Sequence, residues 1–360
     1  MQEQIKGVHG PTIPHLVPFL KLGKHTLGGV AMGGSPERRT LVSAQPAPTV
    51  RESAMQRRTA EATPPVGRHY QVRDRRLFLH RSGSGGPAVV FLPGAGSSGM
   101  DGFIVQQRAA KLTTSVLYDR AGTGWSDRVE LPRTSTQVTD ELRELLRVAG
   151  VPAPYLLVGH SLGGLYARHY AQRFPGEVAG SVLVEPEHED YDAYMPKELN
   201  ELYQAWDPDE AVPDELPDEI IQFYRTLFAR ELADWPEEIR EPLIERHVSP
   251  EWLKIGGQEA ANRYRLHDEV RNAGPMPDVP LIVLTATAID PFKEAVTQGI
   301  PTSLLREEAE AKTRLYTALA TSVTHGENRV VDDAGHLSVI FRRPDAVLQA
   351  IQDVLGRLGS

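Results

Sequence analysis

The chain has 360 residues, 40% of them hydrophobic and 24% charged, which suits one large globular α/β domain with an insertion. It contains no cysteine, and this removes disulfides, thiolate catalysis and Cys-based zinc sites. The formal net charge is -9, concentrated in residues 187–278 with 24 acidic residues against nine basic ones, and this argues against nucleic acid, which requires a basic face.

Residues 1–66 are rich in Gly, Pro, Ser, Thr and Ala, with neither alternation nor a helical stripe, and read as a disordered N-terminal extension. The stretch Leu16-Val17-Pro18-Phe19-Leu20 is too short for a signal-peptide core before Lys21 interrupts it. Met32 and Met55 are alternative starts. No apolar run approaches the roughly 20 residues of a membrane span, and with no convincing signal peptide the expectation is a cytoplasmic protein.

Order is expected from His69. Tyr70 to His80 has strand-like stretches, and Gly83-Ser84-Gly85-Gly86 reads as a hairpin turn. Apolar strands follow at Ala88–Leu92, Ser115–Tyr118, Tyr155–Val158, Ser181–Val184, Leu281–Leu284 and Asn328–Val331. Helical stripes fall at Thr136–Val148, Leu162–Phe174, Thr302–Ala320 and Pro344–Leu358. Unbroken apolar strands alternating with amphipathic helices predict an α/β fold: a mostly parallel central sheet with helices on both faces. Residues 67–186 and 279–360 form this core. The interval 187–278 is far longer than a crossover needs and reads as an acidic helical cap insertion. Its helical stretches are Ile220–Ala233 and Glu259–Val270, and it carries Trp206, Trp235 and Trp252. The acid-rich surface itself reads first as solvated helix face.

Gly159-His160-Ser161-Leu162-Gly163 matches G-x-S-x-G between a buried strand and a helix. In such a tight turn the glycines keep neighbouring side chains from colliding, and Ser161 is the expected nucleophile. A serine hydroxyl needs a base, expected on a loop after the last strand. Of the twelve histidines only His336, after Asp332-Asp333-Ala334-Gly335, has that context; His325 precedes the strand. Two carboxylates compete to orient the imidazole. Asp290 follows the Leu281 strand, and Glu185 ends the strand after the nucleophile. Glu185 is preferred, because a carboxylate ending a buried strand is costly without a partner. The backbone N–H groups of Ala95 and Leu162 are the expected oxyanion donors, with Gly94 letting the loop approach substrate.

These segments together resemble the α/β-hydrolase superfamily over about residues 69–358. Phe91-Leu92-Pro93-Gly94-Ala95-Gly96 is similar to its oxyanion loop, with Pro93 where a histidine is common. Tyr118-Asp119-Arg120-Ala121-Gly122-Thr123-Gly124-Trp125-Ser126 resembles its D-x-R-G-x-G-x-S turn. Gly159–Gly164 resembles its nucleophile elbow, and Gly335-His336 its histidine loop. The long interval from Asp290 to His336 departs from the pattern and favours Glu185, since some relatives carry the acid after the nucleophile's neighbouring strand. The resemblance implies a cofactor-free serine hydrolase acting on a small molecule: a neutral, partly apolar ester, lactone, thioester or amide. A perhydrolase- or haloperoxidase-like enzyme and a non-catalytic ligand-binding protein are the alternatives. The negative cap is expected to disfavour anionic substrates.

Overall fold

Short, wholly apolar segments become the inner strands of one eight-stranded sheet. Their side chains are buried on both faces, which only a parallel sheet covered on each side permits. The strands are β1 (Arg68–Val72), β2 (Arg75–Ser82), β3 (Ala88–Leu92), β4 (Ser115–Tyr118), β5 (Tyr155–His160), β6 (Val178–Val184), β7 (Leu281–Ala286) and β8 (Gly326–Val331). Their spatial order is β1-β2-β4-β3-β5-β6-β7-β8, parallel except where β2 pairs with β1 and β4. This computed structural model describes residues 63–204 and 217–358. Most of the expected N-terminal extension (1–62) and Trp206 lie outside them.

The glycine-rich segment 83–86 is not the expected hairpin turn. The hairpin joins β1 to β2 and closes at Arg73-Asp74, with Arg73 at φ 55°. β3 cannot extend that hairpin, because both its edges take parallel partners, β4 and β5. Gly83 instead allows close passage: a Cβ there would stand 2.3 Å from the Thr113 carbonyl oxygen.

From β3 the chain moves to β4 on one side and then to β5 on the other. Such a reversal opens a crevice at the carboxyl ends of the strands. The sheet is flanked by α1 (Phe103–Ala109), α2 (Ser135–Val148) and α3 (Leu162–Arg173) in the first half of the chain. Thr134 caps α2 by accepting the Gln137 N–H, and the Gln137 side chain bonds back to the Thr134 N–H.

Between β6 and β7 lies the helical insertion: α4 (Tyr191–Tyr194), α5 (Lys197–Gln204), α6 (Asp218–Glu231), α7 (Glu237–His247), α8 (Pro250–Ala260) and α9 (Arg263–Asn272). The single helix expected over Glu259–Val270 is two. They part at Ala261-Asn262, where the Asn262 side chain donates to the Arg133 carbonyl. Aromatic contacts dock the insertion on the core, with Trp235 between Phe103 and Phe341 and Phe228 against Phe292. Several of its acids are docking groups as well, not solvated surface: Glu231 pairs with Arg342, Glu251 with Arg128 and Glu259 with Arg120.

After β7 come α10 (Pro291–Val296), α11 (Thr302–Ala320), α12 (Val339–Arg342) and α13 (Pro344–Leu358). Among the described residues no helix is long and apolar enough to cross a membrane.

Candidate active site

Ser161 stands between the end of β5 and the first residue of α3, at φ 51° and ψ -123°. A non-glycine residue there costs about 1–3 kcal/mol of backbone strain, which the packing around the turn must hold. The flanking glycines make that packing possible. A Cβ on Gly159 would stand 2.5 Å from the Gly163 carbonyl oxygen, and one on Gly163 would stand 2.0 Å from that of Leu92. The end of β3 is thereby pressed against the start of α3.

His336 lies on the loop between β8 and α12. Its Nε2 is 3.1 Å from Ser161 Oγ, and its Nδ1 is 3.1 Å from Glu185 Oε2. The imidazole is partly open to solvent, at 37% exposure, whereas the Glu185 side chain is fully buried. Glu185 follows β6 directly and has φ 49°, so both strained residues at this sheet edge carry candidate chemistry.

The Glu185 carboxylate is fully engaged. Oε1 accepts the Ala286 N–H at 2.7 Å, and Oε2 accepts Lys312 Nζ at 2.5 Å as well as the imidazole. Lys312 also donates to the Ala286 carbonyl at 3.0 Å. Burial works against the carboxylate's charge, but the Lys312 ammonium and the His336 bond outweigh it and lower the pKa to about 2.

Asp290, the other expected partner of the imidazole, bonds to the loop instead of the ring. It caps α10 through the Lys293 N–H, and its Oδ2 accepts the Gly335 N–H at 3.1 Å and the Ser338 hydroxyl. The carboxylate lies so close to Gly335 that a Cβ there would stand 2.7 Å from it, which explains the glycine before the histidine. The sequence brings both acids to the same loop but gives each a different atom to hold.

Leu162 and Gly94, two of the three expected oxyanion and substrate-contact residues, lie against Ser161. Leu162 opens α3, so its N–H has no intrahelical acceptor. Gly94 passes close to the nucleophile: a Cβ on it would stand 3.2 Å from Ser161 Cβ. Ala95 is the next residue on that loop. His160 supports the other flank by donating Nε2–H to the His336 carbonyl at 2.8 Å. Burial, then the neighbouring His336, lowers the His160 pKa to about 4, so it stays neutral near pH 7. A mostly apolar cleft lined by Phe91, Val105, Val158 and Ile340 reaches Gly94 and His160.

Lys312 and Ser338 were not singled out from the sequence. Lys312 did leave a signal. It lies on the buried face of α11 with Leu305, Glu308, Leu315 and Leu319, where a charged residue requires a partner.

Residues 89–350 match the family described as "Alpha/beta hydrolase family". Curated relatives match over shorter lengths. The Bacillus subtilis protein YqjL is 33% identical over 126 residues, 34% of this chain and 50% of that one. A Schizosaccharomyces pombe protein, C23C11.06c, is 42% identical over 73 residues, 20% of this chain and 14% of that one. The chain thus spans at most half the length of these relatives. Among solved structures, an esterase from Thermogutta terrifontis aligns with a TM-score of 0.54 at 18% identity, over 81% of this chain and 100% of that one. Cfl2 from Burkholderia cenocepacia aligns with a TM-score of 0.56 at 19% identity, over 80% and 94%. At such identities the likeness is one of fold. With the family match running from β3 into α13, this chain belongs to the α/β-hydrolase family.

Proposed function

We propose that the protein is a serine hydrolase that transfers the acyl group of a neutral, partly apolar carboxylic ester, or a related lactone, thioester or amide, to water. One observation carries this reading: the hydrogen-bonded line from Ser161 Oγ through both imidazole nitrogens of His336 to Glu185. Ser161 Oγ attacks the carbonyl carbon while His336 Nε2 takes its proton. The N–H groups of Leu162 and Ala95 receive the developing oxyanion. His336 then protonates the leaving alcohol, and the acyl-serine is cleaved by water through the same proton path in reverse. Glu185 holds the tautomer with hydrogen on Nδ1 and balances the imidazolium charge. The net negative insertion supports a neutral substrate.

A fluorophosphonate probe is expected to label Ser161 in the wild type and not in Ser161→Ala. On p-nitrophenyl esters the same substitution is expected to lower kcat by roughly 10⁴–10⁶-fold. Labelling at another residue, or an active Ser161→Ala, overturns the reading.

A further inference from the structure

The loop that supplies Ala95 is held from behind by two charged residues distant in sequence. Arg120, in the turn after β4, is completely buried. Its Nη1 donates to the Pro93 carbonyl at 2.5 Å and its Nη2 to the Gly94 carbonyl at 2.7 Å. The same guanidinium forms a two-pronged pair with Glu259, with Nε to Oε1 and Nη2 to Oε2, each at 2.9 Å. Glu259 sits on α8 of the helical insertion and is itself only 4% exposed. Its Oε2 also accepts the Gly96 N–H at 2.8 Å. One turn earlier on α8, Gly256 passes so near that a Cβ on it would stand 3.3 Å from Gly96 Cα. The insertion therefore contributes the carboxylate that completes a polar clamp on residues 93–96.

The geometry of a peptide unit turns this clamp into a catalytic matter. In a trans peptide the C=O and the following N–H point to opposite sides of the chain. Fixing the Gly94 oxygen on the Arg120 guanidinium fixes the Ala95 N–H in the opposite direction. Besides the guanidinium, only the Ser97 N–H holds the Gly94 oxygen, at 3.2 Å. Left to that longer bond, the Gly94-Ala95 peptide could rotate and present its oxygen, which repels an oxyanion, where its N–H should be. Arg120 without Glu259 would be a cation buried without its counterion, and such a group draws in water or shifts position. We propose that Glu259 and Arg120 are positioning residues that lock the Gly94-Ala95 peptide with its N–H toward Ser161, so that the oxyanion hole is complete only while the helical insertion is seated. This rests on the acyl-transfer reading above, and it gives the insertion a part in turnover besides substrate admission.

A lost oxyanion donor lowers the rate of the chemical step and leaves ground-state binding nearly intact. The test compares wild type, Glu259→Gln, Glu259→Ala and Gly256→Ala on a p-nitrophenyl ester. Rates are normalised to the endpoint of fluorophosphonate labelling at Ser161, so that only folded sites are counted. Glu259→Ala is expected to lower kcat by up to about 10²-fold with KM changed less than about threefold. Glu259→Gln, which keeps an acceptor for the Gly96 N–H, should recover part of that loss. An alkyl boronic acid, which forms a tetrahedral adduct on Ser161, should lose affinity in proportion to kcat. Gly256→Ala, which wedges α8 from the loop without touching the ion pair, should lower kcat several-fold and so serves where the Glu259 variants fail to fold. Unchanged kcat in the Glu259 variants, or losses carried by KM with boronate affinity intact, overturns the clamp while leaving the hydrolase standing. A wild type neither active nor labelled at Ser161 overturns the hydrolase reading first.

Discussion

The carboxylates at the ends of β6 and β7 are neighbours on one sheet edge, both buried, and both tied to the segment that bears His336. Glu185 reaches the imidazole, and Asp290 reaches the backbone that carries it. The environments explain the division. Glu185 has an ammonium at its back and a ring in front, so its charge is shared between Lys312 and the imidazole. Asp290 is consumed by the Lys293 N–H, the Gly335 N–H and the Ser338 hydroxyl, all of them groups of the loop and helix and none of the ring. The comparison teaches that position at a strand end does not assign a role; the groups that each carboxylate meets do.

The sharpest test is Glu185→Gln against wild type. An amide cannot balance the imidazolium, and kcat is expected to fall about 10³–10⁴-fold, measured per labelled Ser161. If Glu185→Gln retains most of its activity, the imidazole is oriented by something else and the comparison collapses. Asp290→Asn should behave differently in kind. It replaces an acceptor of three donors with a group that has one acceptor oxygen, and a stability loss of about 1–2 kcal/mol is expected in urea unfolding. Its kcat should fall only about tenfold, through looser placement of the His336 loop. A larger kinetic loss for Asp290→Asn than for Glu185→Gln would reverse the assignment of roles.

What the sequence made legible follows from how local each constraint is. Ser161 and His336 are announced by their immediate neighbours. Gly159 and Gly163 have no room for side chains, and Gly335 has none beside Asp290. The inner strands are equally plain, because burial on both faces leaves an apolar run with no alternation. Glu185 is preferred over Asp290 because a buried strand-end carboxylate needs a partner, but the Lys312 that also partners it lies 127 positions away, and no local pattern encodes that distance. The clamp of Arg120 by Glu259 spans 139 positions and was invisible for the same reason. The run Gly83–Gly86 misled in the opposite way. Glycines mark where a chain can turn tightly, but strand partnership is decided by which edges remain open, and both edges of β3 were taken.

The smallest expected effect isolates what Lys312 adds to the Glu185 side of the comparison. Its ammonium lies 2.5 Å from the same Oε2 that faces His336, so the imidazole meets a carboxylate whose charge is already partly balanced. Lys312→Met keeps the bulk and removes the cation. The Glu185 carboxylate is then left with the Ala286 N–H and the imidazole as its partners. With the carboxylate held by fewer groups behind the ring, kcat is expected to fall only several-fold. A second readout comes from folding. A carboxyl lowered from 4.5 to about 2 on folding gives stability that is full above the ordinary value and fades as pH falls through about 2. Without Lys312 its folded pKa rises, and that contribution fades at higher pH, so the acid-unfolding midpoint should rise as well. An unchanged kcat while the unfolding midpoint moves would make Lys312 a purely structural partner of Glu185. If both move together, the lysine is part of how the β6 carboxylate, unlike its β7 neighbour, holds the imidazole.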